Sequence, residues 1–287
     1  MRECYRPGNH ISGSFDKGCD MLNMYWVYEI PNSLLFVLVT SFFGIASLIG
    51  LHLTRPLVRR LVDGSGKHND ITSYHIAGVG VLYGLMLGLI AVGTWQNFSD
   101  VDAKVSKEAN SLGALYRDLD GYPVGLREVS EKLLRQYSEV VIRDEWPAHQ
   151  QGRILDKGDA ILEDLENTIM AFEPQTETQK IVHTVVIKSL NDTIENRGYR
   201  VQAVSTALPS VIWAVVLVGA VVNIGLTYLF WVENLWLHSV LVMAFSSSLG
   251  MLIFLTVAMD NPFRGEFSVS SDGYKYVLEH VMSKPGQ

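Results

Sequence analysis

"GVGVLYGLMLGLIAVGTWQNF", residues 78–98, is long and apolar enough to cross a bilayer, and glycine recurs in it every fourth residue at Gly80, Gly84 and Gly88. Nothing after it stops a helix. Between Trp95 and Ser99 there is neither proline nor glycine, and Val101, Val105, Ala109, Leu112, Tyr116 and Leu119 continue at three- and four-residue steps into polar sequence. That period predicts a helix that leaves the membrane and runs on as the stalk of a polar helical domain. Pro123 ends the run.

The rest of the chain arranges itself around this segment. It has 287 residues, 48% hydrophobic and only 18% charged. Four stretches lack formal charges and reach spanning length: Ser33–Leu53, His75–Trp95, Leu208–Trp231 and Trp236–Ala258. At about 1.5 Å per residue, twenty-odd residues cross a hydrocarbon core of about 30 Å. Core helices of a soluble protein are the competing reading. Trp26, Trp95, Trp231 and Trp236 lie at or just outside segment ends and Trp213 lies near one, as interfacial belts require. Between the second and third spans, apolar residues keep helical spacing in three further runs, separated by Pro147 and Pro174; "EWP" at 145–147 reads as a helix end with a buried Trp146. Gly198 and Pro209 leave open whether the last run kinks into the third span or a fresh helix begins. The fold class expected is all-α: a polytopic membrane protein with four transmembrane helices and a helical bundle inserted between helices two and three. Its parts are an N-terminal tail (1–32), transmembrane helices 1 and 2 (33–95), the bundle (96–207), transmembrane helices 3 and 4 (208–258) and a C-terminal tail (259–287).

Residues 1–20 are polar and hold both cysteines, Cys4 and Cys19; Met21 and Met24 follow, and translation is expected to start at one of them. The loop Thr54–Tyr74 carries Arg55, Arg59, Arg60 and Lys67, and Val232–Leu235 carries no lysine or arginine. Both lie on one side. The positive-inside rule places the arginine loop in the cytoplasm and the bundle outside it.

Several residues invite a function. The Gly80, Gly84, Gly88 stripe removes side chains where another helix can approach, either within the subunit or between subunits around an axis. Leu82, Leu85, Leu89 and Val92 on the other face suit lipid or a hydrophobic constriction. Asn223, Ser246, Ser247 and Ser248 lie inside spans, where they either bond a carbonyl or line a pathway. No charged residue lies deep in a span, against a mid-membrane carboxylate relay. Asp260 follows the fourth span, and Arg197 and Arg200 precede the third on the same side, which suggests an ion pair or separate solvated charges. There is no P-loop, nucleophile elbow or paired-histidine metal motif, so neither enzyme chemistry nor a cofactor or metal is expected. A net charge of −7 argues against nucleic acid as a partner.

Four segments together, "WQNFSDVDAKVSKEANSLGALYRD" (95–118), "YSEVVIRDEWP" (137–147), "ALPSVIW" (207–213) and "DNPFRGEFSV" (260–269), resemble the bestrophin-like family of bacterial membrane proteins, a domain of unknown function. The resemblance runs from about residue 21 onward. It implies the bestrophin order of four spans with a helical domain after the second, a multi-pass protein of the bacterial inner membrane, and a homo-oligomeric anion channel, pentameric if the analogy holds. The sequence departs from bestrophins in three ways. "RGEFSVSSDG" (264–273) stands where metazoan bestrophins carry an acidic run. The second span has no match to their aromatic pore neck. Their helical domain is cytosolic, opposite to the orientation read from charge. Two functions follow: an oligomeric ion channel or channel-like pore in membrane lipid, with inorganic ions as its cargo, or a membrane-anchored sensor or scaffold whose bundle binds a ligand or partner. An acidic vestibule concentrates cations.

Overall fold

The structure, a computed structural model, describes residues 25–61 and 66–283. The expected start at Met21 or Met24, the two cysteines and the Lys67 side chain lie outside what is described. All described secondary structure is helical. The long helices are α1 (Asn32–Leu61), α2 (Gly66–Asp118), α3 (Val124–Val140), α5 (Lys157–Met170), α6 (Glu177–Ala203), α7 (Ser210–Thr227) and α8 (Leu235–Asp260); α4 (Trp146–Gln150) and α9 (Asp272–Tyr276) are short. Four of them, α1, α2, α7 and α8, are long and apolar enough to cross a membrane.

α2 has 53 residues, about 80 Å at 1.5 Å per residue, and so far exceeds a bilayer core. Its two halves belong to two cores. In the first half, Tyr83 and Leu87 pack with Val216, Ala220 and Ile224 of α7 and Leu249 and Ile253 of α8. In the second half, Val101, Val105, Leu112, Leu115 and Leu119 meet Leu134 and Tyr137 of α3, Leu165 and Ile169 of α5, and Val186 and Leu190 of α6. Residues 95–118 thus continue the helix of the second apolar stretch without a break, as the period from Val101 onward predicts. The third span is different: α6 ends at Ala203, and Pro209 caps a fresh α7. Proline fixes its own φ and lacks an N–H, which suits a helix start.

The arginine loop is much shorter than the expected 54–74. α1 continues through Pro56 to Leu61 because Leu51 and Val58, two turns apart, stay on its buried face. α2 begins at Gly66, and Asn69 exchanges two hydrogen bonds with the Trp231 backbone, both 2.8 Å. "EWP" is not a helix end either. α3 passes through a π-turn, Val141–Glu145, into α4, with the Trp146 N–H bonding Val141 O. This wider turn shifts the register ahead of Pro147, so the missing N–H and the ring meet no regular α bond. Trp146 is buried as expected.

α8 lies against α1, and a Cβ on Gly250 would stand 3.2 Å from the Thr40 Cα. That approach needs glycine. On α7, a Cβ at Gly219 would overlap the Tyr83 ring, whose Oη donates to Val216 O at 2.8 Å. The tail folds back on the second core through Phe263, Val269, Tyr274 and Val277.

Candidate functional site

Two features stand out: an open face on the first half of α2 and a buried charge cluster beside its second half. In the open face, the apolar stretches of the four long helices are only 17–33% buried by the rest of the chain. Nothing stands within 4 Å of a Cβ added at Gly84 or Gly88; at Gly80 only Asn223 Oδ1 does, at 3.8 Å. Most of the stripe thus has no partner inside the subunit. Leu82, Leu85, Leu89 and Val92 are exposed beyond it. An apolar groove of about 620 Å³ runs between α2 and α7 past Leu82, Met86, Val215 and Val218.

Of the polar residues of α7 and α8, Asn223 alone borders the groove. Asn223 is buried, and its Nδ2 donates to Gly219 O of its own helix at 2.9 Å. Ser246 is fully buried. A Cβ on Gly44 of α1 would stand 3.2 Å from Ser247 Oγ, and exposed Ser248 bonds back to Ala244 O. The three serines therefore point in three directions.

The charge cluster begins on the apolar stripe of α2. Glu108 occupies the step between Val105 and Leu112, so the fold carries a carboxylate into the core with its leucines. On α6 the stripe Val186, Leu190, Thr193 leads to Arg197 and Arg200 in the same way. Arg200 Nε donates to Glu108 Oε2 at 2.8 Å, and its Nη2 to Glu145 Oε2 at 3.0 Å. Arg197 grips Glu145 with both Nη atoms, at 2.7 and 3.0 Å, and Asp159 with Nε at 2.7 Å. Tyr137 Oη donates to Glu108 Oε1 at 2.6 Å. Two buried glutamates face two buried arginines, with exposed Asp159 at the rim. The Gly158 N–H at the start of α5 adds a bond to Glu145 Oε1, 3.1 Å, and a side chain there would collide with that carboxylate.

Electrostatics follow from this geometry. Burial alone would raise the Glu145 pKa, but bonds from Arg197 and the charges of Arg200 and Arg197 outweigh it and hold the carboxyl below its usual value. Burial and the Arg200 charge push His149 down to about 4. Arg200 Nη1 donates to His149 Nδ1 at 3.2 Å, so the neutral ring carries its proton on Nε2. Desolvation and the Glu108 charge push the Tyr137 phenol up. At neutral pH Glu145 stays charged while His149 and Tyr137 stay neutral, which suits a rigid clamp joining α2, α4, α6 and the tail. Phe263 and Tyr274 close over it, stacked edgewise and tilted on Trp146 at 5.5 and 5.7 Å.

The pairing of Asp260 with Arg197 or Arg200 is not what the structure holds. Both arginines are taken by Glu108, Glu145 and Asp159. Asp260 instead accepts from the Leu208 N–H at 2.6 Å and Trp213 Nε1 at 3.3 Å, pinning the start of α7 to the end of α8. Among the described residues no group of three or more metal-ligating side chains occurs.

Residues 41–274 match the family model described as the Bestrophin-like domain. No curated protein sequence matches the chain. Among solved structures, a bacterial bestrophin homologue from Klebsiella pneumoniae aligns with a TM-score of 0.63 at 12% identity, over 88% of this chain and 100% of that one. A mutant of the Klebsiella pneumoniae homologue aligns with a TM-score of 0.64 at 12% identity, over 88% and 99%. At such identity the likeness is one of fold.

Proposed function

The chain belongs to the bestrophin-like family, and from that premise we propose that copies of it assemble around an axis into an ion-conducting membrane pore walled by the open face of α2. The observation that carries this reading is the stripe Gly84–Gly88 on a helix continuous with the bundle: a groove made by omitting side chains, with nothing of its own subunit in it. In lipid no hydrophobic force joins helices, so close backbone contact supplies the attraction, and small residues permit it. Neighbouring subunits fill the groove, and Leu85 and Val92 narrow the passage. The divisions 33–95, 96–207 and 208–258 then correspond to two membrane pairs and the vestibule inserted between them. The serines of α8 and Asn223 serve packing in this arrangement. Five copies is the number that the family resemblance suggests.

The arginine end of the spans faces the cytoplasm in this proposal and the bundle lies outside the bacterial inner membrane. Arg55, Arg59 and Arg60 have no ion-pair partner among the described residues, whereas Arg197 and Arg200 are neutralised by Glu108 and Glu145. Arg55, Arg59 and Arg60 thus leave positive charge uncompensated at the arginine end, and although Lys104 and Lys107 form no ion pair among the described residues at the bundle end, the short arginine segment weighs more than a long domain in setting orientation. An acidic vestibule favours cations over anions.

Purified protein in planar bilayers, with its mass in detergent measured by light scattering, tests the proposal. An oligomer with reproducible unitary currents supports it. A stable monomer without currents supports the sensor or scaffold reading instead.

A further inference from the structure

At the end of the spans opposite the bundle, Arg55 and Arg59 stand one turn apart on α1 and face the link between α7 and α8. Arg55 Nη2 reaches the Val232 and Glu233 carbonyls only at 3.4 and 3.3 Å. Its Nη1 is buried and meets no acceptor among the described residues. The Arg59 guanidinium lies 6.0 Å over the Trp231 ring. Between them is a cleft of about 10 Å³, bordered by Arg55, Arg59, Tyr228, Trp231 and His238, with room for one atom of water-oxygen size. Among the described residues neither arginine forms an ion pair, unlike Arg127, Arg135, Arg197 and Arg200 in the bundle. A buried guanidinium nitrogen without an acceptor is costly, and its natural partner is an anionic oxygen.

We propose that Arg55 and Arg59, with Trp231, form a binding site for a phosphate-type oxyanion, one oxygen of which enters the cleft to meet Arg55 Nη1. The position decides which sources compete. Trp231 and Trp236 mark the interfacial level of the membrane, where phospholipid phosphates lie, and arginines beside that level attract anionic headgroups. Free inorganic phosphate offers the same oxygen from the aqueous side. Arg59 serves as the outer half of the site, fixed over Trp231 so that its charge faces a second phosphate oxygen.

Native mass spectrometry of the full-length protein in detergent, with equal phosphatidylglycerol and phosphatidylcholine, tests this. The expected result is at least tenfold preferential retention of phosphatidylglycerol, reduced to parity in Arg55→Gln and partly kept in Arg55→Lys, which preserves the charge but not the fork. Arg59→Gln, with an exposed side chain, carries the test if Arg55→Gln does not stay monodisperse. Displacement of the lipid by millimolar inorganic phosphate assigns the site to either source; resistance to it assigns the site to the headgroup. Equal retention of both lipids by the wild type, or a preference unchanged in both glutamine variants, overturns the proposal. Asp63, outside the described residues, is a nearby carboxylate in sequence. If Asp63→Asn raises phosphatidylglycerol retention tenfold, Asp63 is the native partner and the proposal also falls.

Discussion

Replacing Arg200 by methionine should show what the buried cluster contributes. Methionine nearly matches the arginine stem in length, so packing changes little. The loss is electrostatic: two bonds to Glu108, at 2.8 and 3.3 Å, one to Glu145 at 3.0 Å, one to His149 at 3.2 Å and a long one to Tyr137 Oη at 3.4 Å. Glu108 is then fully buried with only Tyr137 as its donor. Breaking a buried pair by removing one partner costs about 3–5 kcal/mol. At roughly 2–4 °C per kcal/mol, the melting temperature of the detergent-solubilised protein should fall by about 6–20 °C. Glu108→Gln in the same background removes the stranded charge while keeping an acceptor for Tyr137. The double variant should therefore cost about 2–3 kcal/mol less than the two single losses summed. Lys180→Met, which breaks only the exposed pair with Glu177, should leave the melting temperature within about two degrees. The assay is tryptophan-fluorescence melting with recovery after cooling. An Arg200→Met protein that melts with the wild type would refute the reasoning, because no unpaired carboxylate could then be buried beside α2.

Acid should weaken the same region in two windows. The folded-state pKa of His149, about 4, lies below its ordinary value of about 6.5, so its stabilising contribution is complete above that value and is lost as pH falls from about 6.5 to 4. The loss amounts to about 3 kcal/mol, and His149→Gln should flatten melting curves over that range; Glu145, held low, yields only further down. On α7, Gly219→Val should destabilise the membrane core by about 1–3 kcal/mol, because its Cβ meets the Tyr83 ring, and Tyr83→Leu in that background should recover most of the loss; an undisturbed melting temperature in Gly219→Val contradicts that packing. A C-terminal alkaline phosphatase fusion should be active and a fluorescent-protein fusion dark in a bacterial host, and the reverse pattern would turn the bundle to the cytosolic side, as in bestrophins.

Much of this fold was legible because bilayers demand long uncharged helices. The length of α2 was readable from Val101 onward, since one period runs unbroken from the apolar stretch into polar sequence. Helix ends were less legible. Residues 54–61 read as loop and Pro147 as punctuation, yet α1 and the α3–α4 segment pass through them, one because Leu51 and Val58 keep a buried face, the other because a π-turn shifts register. The charge cluster was half readable. Glu108, Arg197 and Arg200 sit on apolar stripes, a pattern that marks buried charge, but the sequence reading sought the partner of the two arginines at Asp260, because these residues flank spans. Glu145 was hidden within a segment read as a helix end. Its place against Arg197 depends on the π-turn and on Gly158, neither of which leaves a periodic signature. The open face of Gly84 and Gly88 could not be separated from internal packing without α7 and α8 in place.

The most direct test of the pore concerns Leu85, exposed beside the glycine stripe. In a background of Cys4→Ser and Cys19→Ser, Leu85→Cys protein in planar bilayers is recorded before and after a cationic methanethiosulfonate reagent. If α2 walls the passage, unitary current should change abruptly in discrete steps as each subunit reacts, while Leu57→Cys on α1 should show no step. A folded oligomer whose Leu85→Cys currents are untouched by the reagent, with the thiol shown by mass to be modified, would contradict the account.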